Sequence, residues 1–378
     1  MTSFDGLDWL THAAWPLWLA HGVDWRRGAF HEHLDATLAC GARFRRLRVV
    51  TRQTFVFAAA ARRGVPGARD AVALGLHFLR GPARLEDGGY AWRFDLDNRV
   101  IDDTRDLYDH AFVLLALAAA AEVVGPESVI ADARALEAFI ATCFAHPRGG
   151  YRERLPGRAG GDETGPRRQN PHMHLFEALL AAAAAFGDER FLARAGELVR
   201  LFATRFFQAA ETALPEFFDD DLRPVRNRGR FATEPGHHYE WVWLISRYQC
   251  AAAAAGAPAL DLDGPAVALF KFAERHGVGA GSRAVNGVWS DGTVADAAFR
   301  LWPQTERLKA VARFAPGGFA TAAAALARHL GGPHPGLWIE RMDGAGAAVP
   351  EPAPATSLYH LTAAFTDDAV LAMQAAGA

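Results

Sequence analysis

Residues 106–124 read DLYDHAFVLLALAAAAEVV. From His110 to Val124 the stretch is apolar almost all round and carries no period-2 alternation. A helix of that composition must be buried on more than one side. Leu175–Phe186, Phe191–Ala209, Trp241–Ala255, Ala266–His276 and Phe319–Leu330 share the alanine- and leucine-rich texture. All have the length of ordinary globular helices, roughly 10–20 residues. With strand-like alternation nearly absent, the pattern predicts an all-α chain without a large sheet.

Between these stretches an aromatic residue is repeatedly followed by an acid. It occurs as GGYAWRFD at Tyr90, GGYRERL at Tyr151, EFFDDD at Phe217, VWSDG at Trp289 and LWIERMDG at Trp338. A rhythm of roughly 60 residues is the mark of a repeated helical hairpin, and the 378-residue chain accommodates about six. A hairpin cannot bury its apolar face alone, whereas a ring of hairpins can. The expectation is an (α/α)6 barrel of six helical hairpins, with the active site in a cup at one end. No Pro/Gly/Ser-rich linker divides the chain, and PEPAPATS at Pro350–Ser357 lies too near the C-terminus to separate domains. Residues 1–378 therefore read as a single catalytic domain.

Forty basic and 43 acidic residues give a net charge of -3, which leaves no electrostatic footprint for nucleic acid or an anionic membrane. Lys271 and Lys309 are the only lysines, a bias that reads as codon usage. Cys40, Cys143 and Cys250 lack metal-binding spacing and fit reduced thiols in a cytoplasmic protein. The N-terminus lacks the basic region of a signal peptide, and no uncharged apolar run of about 20 residues predicts a membrane span. The expectations are a cytoplasmic location and a small-molecule partner, with neither nucleic acid nor membrane; nothing in the sequence sets an oligomeric state.

Polar residues stand out against this background. RQNPHMHLFEALL places Asn170 ahead of His174 and Glu177, which at i,i+3 share a helix face. EPGHHYEWVWLI repeats the spacing with His237 and Glu240, and WPQTERLKA sets Trp302 and Glu306 at i,i+4. TSLYHLTAAF brings Tyr359 and His360 to the start of the last helix, RVVTRQTFVFAAA carries Arg52, and DLYDHAF carries Asp106, Tyr108 and His110. Taken singly, a His–Glu pair reads as a solvated helix pair, Arg52 as a surface charge, and Tyr108 or Trp302 as packing. Taken together, these groups recur at the starts of strongly apolar helices. In a closed helical ring they converge in an aromatic-lined cavity, the usual form of a small-molecule site.

Histidine both takes and gives a proton near neutrality. Carboxylates orient the rings, an arginine holds a developing enediolate oxygen, and aromatic faces suit the C–H side of a sugar. The collection fits proton abstraction beside a carbonyl: aldose–ketose isomerisation or epimerisation. Gly-x-Ser-x-Gly, Walker and dinucleotide motifs are absent. A glycoside hydrolase would need two suitably spaced carboxylates, for which Asp102, Asp103, Asp106 and Glu153 are available. A non-catalytic sugar-binding protein and a metal-dependent isomerase using the His-x-x-Glu pairs are further alternatives.

NPHMHLFEALL, EPGHHYEWVWL, WPQTERLKA and the terminal LYH, in that order, resemble the N-acylglucosamine 2-epimerase superfamily. The resemblance runs from about Trp9 to Leu371, and PGHHYEW and RLWPQTE look most like its D-mannose isomerase branch. It implies an (α/α)6 barrel and a mechanism without metal or cofactor. It assigns catalysis to His237 and His360 and sugar contact to Arg52, Tyr108, Asn170, His174, Glu240, Trp302 and Glu306. Interconversion of D-mannose and D-fructose through a cis-enediolate follows as the expected reaction, with a 2-epimerase of the same superfamily as the alternative. Glu240 and Glu306 are expected to orient the imidazoles. Unphosphorylated sugar is expected, because no Lys/Arg cluster or glycine-rich nest accompanies the motifs.

Overall fold

The apolar stretches are helices, and most begin several residues before the apolar run. A computed structural model describes residues 5–158, 160, 165–257 and 260–377. A short lead, α1 (Gly6–Trp9), a π-helical turn (Leu10–Ala14) and α2 (Trp15–His21), comes first. Helices then follow in pairs: α3 (Leu47–Arg62) and α4 (Ala68–Arg80), α5 (Leu107–Val124) and α6 (Ile130–Cys143), and α7 (Gln169–Phe186) and α8 (Glu189–Leu201). After these come α9 (Pro235–Ala254) and α10 (Asp263–His276), α11 (Leu301–Phe314) and α12 (Phe319–Ala327), and α13 (Ala355–Phe365) and α14 (Asp368–Ala375). The first helix of each pair starts at residue 47, 107, 169, 235, 301 or 355, so the repeat of about 60 residues is real. The described strands are two or three residues long and form small antiparallel ribbons.

The chain divides into two compact units. One comprises Met1–Ala14, Val199–Ala353 and His360–Ala378; the other comprises Trp15–Leu198 and Pro354–Tyr359. In the second unit α5 packs against α3, α4, α6 and α7, which accounts for its apolar circumference. By length and composition α5 alone among the described helices is apolar enough to cross a membrane, yet most of it is buried in this packing. In the first unit α9 and α11 pack on each other and on α10, α12 and α14. A separate apolar cluster of Ala213, Phe231, Phe272, Val285, Val288, Phe299 and Met342 supports its loops.

The true signature of the repeat, in α5, α7, α9 and α11, is a polar side chain at the fourth residue of the helix. His110, His172 and His238 each accept, through Nε2, the backbone N–H of a loop residue: Tyr90 (3.1 Å), Tyr151 (2.9 Å) and Leu214 (3.1 Å). Gln304 does the same for Ala284 at 2.8 Å. Nδ1 of His110 and of His172 donates to the carbonyl four residues earlier, Asp106 and Arg168. Burial excludes the charged form, pushing His110 and His238 down to about 4 and His172 to about 3. Thus Tyr90 and Tyr151 occupy equivalent positions, but Phe217, Trp289 and Trp338 do not continue their register. The repeated group is a loop N–H, which any residue except proline can supply.

Candidate active site

Histidines and carboxylates gather in the first unit on α9, α11 and α13. Pro235 opens α9, where a missing N–H costs nothing, and puts His237 in the first turn. His237 is 5% exposed and His360 6%. The Trp302 ring lies beside both, with centroids 4.9 Å from His237 and 5.8 Å from His360. Trp302 takes this place because residue 236 is glycine: a Cβ there would lie 2.5 Å from the indole Cη2 and Cζ3.

Each imidazole is fixed by a carboxylate. His237 Nδ1 lies 2.9 Å from Glu216 Oε2, and His360 Nδ1 lies 3.0 Å from Glu306 Oε1. An ionised carboxylate only accepts, so Nδ1–H donates in both pairs and Nε2 becomes the nitrogen for chemistry. Burial disfavours the charged form of His237, but Glu216 and Glu234 outweigh it and raise the imidazole to about 9. At neutral pH this ring carries a proton to give.

Glu306 is fully buried, and its other oxygen, Oε2, meets Lys309 Nζ at 2.6 Å. Burial pushes the Glu306 carboxyl up, but the Lys309 ammonium and the His360 hydrogen bond hold it below its usual range. Of the two carboxylates expected to orient the imidazoles, Glu306 is hydrogen-bonded to His360. For His237 a hydrogen-bonding carboxylate is Glu216, and Glu240, one turn along α9, adds its charge. Glu216 lies 21 positions upstream in the loop. Its only signal in the sequence was the acid-rich stretch around Phe217.

The second unit holds the remaining residues singled out from the sequence. His174 Nδ1 donates to Glu177 Oε2 at 3.0 Å, and Glu177 Oε1 accepts from the Tyr359 hydroxyl. The Tyr108 ring stands edge-on to His174, 4.9 Å between centroids. Arg52 donates to the Tyr108 hydroxyl at 2.5 Å and the Thr356 carbonyl at 3.1 Å, with its guanidinium 4.2 Å from the Phe112 centroid. Asn170 is half-buried near the start of α7, its Oδ1 without a hydrogen-bond partner among the described residues. His110, grouped with these from the sequence, is instead the loop-holding histidine described above.

The loop acids offered for glycoside hydrolysis have structural work. Asp106 caps α5 and pairs with Arg154, and Glu153 binds the Arg168 backbone N–H and Nε. Arginines do cluster in this unit, contrary to the sequence reading. However, Arg46, Arg48, Arg154 and Arg168 pair with Glu32, Asp109, Asp106 and Glu153, while Arg93 stacks on Phe44 and Trp92.

Among the described residues of the first unit, two groups bring one histidine and two carboxylates within 4.8 Å: Glu216, Glu234 and His237, and Glu240, Glu306 and His360. The donor sets suit a cation poorly. His237 is cationic, both Nδ1 atoms are committed to carboxylates, and Lys309 already neutralises Glu306.

A helical chain with paired, carboxylate-held histidines has the makings of an acid–base enzyme. Residues 28–364 match the N-acylglucosamine 2-epimerase (GlcNAc 2-epimerase) family, and the chain belongs to that family of isomerase-class enzymes. A Rhizobium meliloti (strain 1021) protein named mannose-6-phosphate isomerase is 38% identical over 374 residues, 94% of each chain. A D-mannose isomerase crystal structure superposes with a TM-score of 0.82 at 22% identity, covering 95% of each chain. Cellobiose 2-epimerase from Bacillus thermoamylovorans B4167 gives the same TM-score at 18% identity, covering 95% of this chain and 97% of that one. The fold is therefore shared by isomerase and epimerase alike.

Proposed function

We propose that the protein interconverts D-mannose and D-fructose by histidine-mediated proton transfer through a cis-enediolate. The observation that carries this reading is the pair His237 and His360 beside one indole, both Nδ1-anchored, with one ring protonated at neutral pH. His237 gives its proton to the ring oxygen and, once neutral, takes the proton that the anomeric hydroxyl loses, opening the sugar. His360 Nε2 then takes the C2 proton, and the C2–H electrons form the C1=C2 bond of the enediolate as the C1 carbonyl becomes an alkoxide. Return of that proton to C1, with O2 becoming the carbonyl, yields the ketose. His237 carries the proton needed between O1 and O2. A neutral Nε2 is required for the central step, which a metal on that nitrogen would block, so the proposed mechanism is metal-independent.

Arg52, Tyr108, Asn170 and His174 are proposed as sugar contacts, with Arg52 as the charge partner of the enediolate oxygen. The resemblance and the regular helix starts support an (α/α)6 barrel working as a single catalytic domain over residues 1–378, and a cytoplasmic location belongs to the same reading. Unphosphorylated sugar is favoured because four of the clustered arginines are paired to carboxylates. The name of the Rhizobium meliloti relative makes mannose 6-phosphate the necessary control. The test is incubation with mannose, fructose, glucose, N-acetylmannosamine, cellobiose and mannose 6-phosphate, followed by chromatography. Fructose from mannose is the expected product. Glucose alone, or an epimerised disaccharide, would move the assignment to a 2-epimerase, and conversion of only the phosphorylated sugar would overturn the substrate assignment.

A further inference from the structure

The chain has 38 arginines and two lysines. Lys271 is exposed, whereas Lys309 is 1% exposed. A buried cation in so arginine-biased a sequence occupies a place where a compact ammonium fits and a planar guanidinium does not. Its Nζ is 2.6 Å from Glu306 Oε2 and 3.7 Å from the centroid of the Trp243 ring. The Trp243 indole N–H donates to Asp367 Oδ2 at 2.8 Å, and Arg313 grips both oxygens of Asp367 at 2.7 and 2.9 Å. The ammonium is thus seated from one side by an aromatic face that is itself fixed, and on the other it meets the carboxylate that orients His360.

We propose that Lys309 is a positioning residue for proton transfer at His360. By holding one oxygen of Glu306 it keeps the other on His360 Nδ1 and so fixes the orientation of the ring. This inference rests on the reading of His360 as the base. Without the ammonium, Glu306 would be a buried carboxylate with one oxygen unpartnered by Lys309, and its hold on the imidazole would loosen. No reacting atom is assigned to Lys309, and of its contacts Glu306 is the one that meets His360, so its proposed effect on the imidazole passes through that carboxylate.

The test is a double-mutant cycle on the full-length enzyme. Turnover and exchange of the C2 hydrogen in D2O are followed by NMR on whichever sugar of the panel reacts. Lys309→Met is expected to lower kcat by on the order of 10–10²-fold with KM within about threefold, and to raise the isotope effect of a 2-deuterated substrate. Lys309→Met/Glu306→Gln removes both buried charges and is expected to match Glu306→Gln alone within about threefold, because the lysine has nothing left to position. Should Lys309→Met fail to fold, the double variant against Glu306→Gln decides the matter. A normal wild type with Lys309→Met at near-full kcat, or single effects that multiply in the double variant, would overturn the positioning role and leave the functional reading standing. A wild type that exchanges the C2 hydrogen of no panel sugar would overturn both.

Discussion

The two histidine sites of the first unit look alike in outline and differ in charge. His237 and His360 each give Nδ1 to a carboxylate at 2.9 and 3.0 Å, and both lie beside Trp302. Around His237 the carboxylates of Glu216 and Glu234 add up, and the ring rises to about 9. Beside His360, where Glu240 and Glu306 both lie, Lys309 pairs with the second oxygen of Glu306 within the same helix. The roles proposed for the two rings, proton donor for His237 and proton acceptor for His360, rest on this difference in surroundings. Catalytic sites need such a separation of roles, and the sum of neighbouring charges sets it where hydrogen-bond geometry alone does not.

The largest test of that comparison is removal of either ring. His360→Asn and His237→Asn are expected to lower kcat by on the order of 10²–10⁴, as for general acid–base groups, with folding retained by circular dichroism. A variant with near-full turnover would remove that ring from the mechanism.

Removing the charge that distinguishes the two sites comes next. His237 has an ordinary value of 6.5 and stands at about 9 in the folded chain. Its stabilisation is therefore fully present below pH 6.5 and lost as pH rises through about 9. As the ring-opening acid, it predicts that kcat/KM falls over the same upper window. Glu216→Gln removes the hydrogen-bonding charge and is expected to bring that alkaline limb down in pH and to lower kcat about tenfold. An unmoved limb, read from a pH–rate profile, would break the assignment of the proton to His237.

A smaller effect is expected where the rings meet the indole. Gly236→Ala places a methyl group 2.5 Å from Trp302, so the indole must move. Overpacking of this kind costs about 1–3 kcal/mol, measurable by thermal melting, with a matching fall in kcat/KM for the sugar. Unchanged kinetics would show that Trp302 need not sit between the two rings.

Chelation should change nothing. Activity after exhaustive EDTA treatment is expected to equal that of untreated enzyme. About one metal per chain by elemental analysis, together with activity lost on chelation and restored by a divalent ion, would replace His360 as the base.

Much of this was legible along the chain because it is local. Apolar composition marked the helices, and Pro235 and Pro303 marked their first turns. The i,i+3 spacing of His174 and Glu177 became a hydrogen bond because both lie on one helix face. The order of the four motifs, through the family resemblance, pointed to Glu240 and Glu306 as orienting groups for the imidazoles, without saying which carboxylate meets which ring. Helix starts were read late because polar residues such as Gln169 and His237 belong to the helices but break the apolar pattern. The loop repeat was read in the wrong register after Tyr151 because its repeating element is a backbone amide, and an amide leaves no mark on the sequence.

By itself, then, the sequence determined where helices form, how often they recur and which histidines are of interest, since these follow from composition and spacing within single elements. Tertiary structure decided that Glu216 rather than Glu240 holds His237, because a loop's path brings in a carboxylate 21 positions away. It also decided that His110, His172 and His238 are neutral supports while His237 carries a proton. All four share the same side chain and a buried setting, but the first three meet backbone groups and His237 meets carboxylates. Burial penalises the charge in every case, and only nearby opposite charge reverses the penalty.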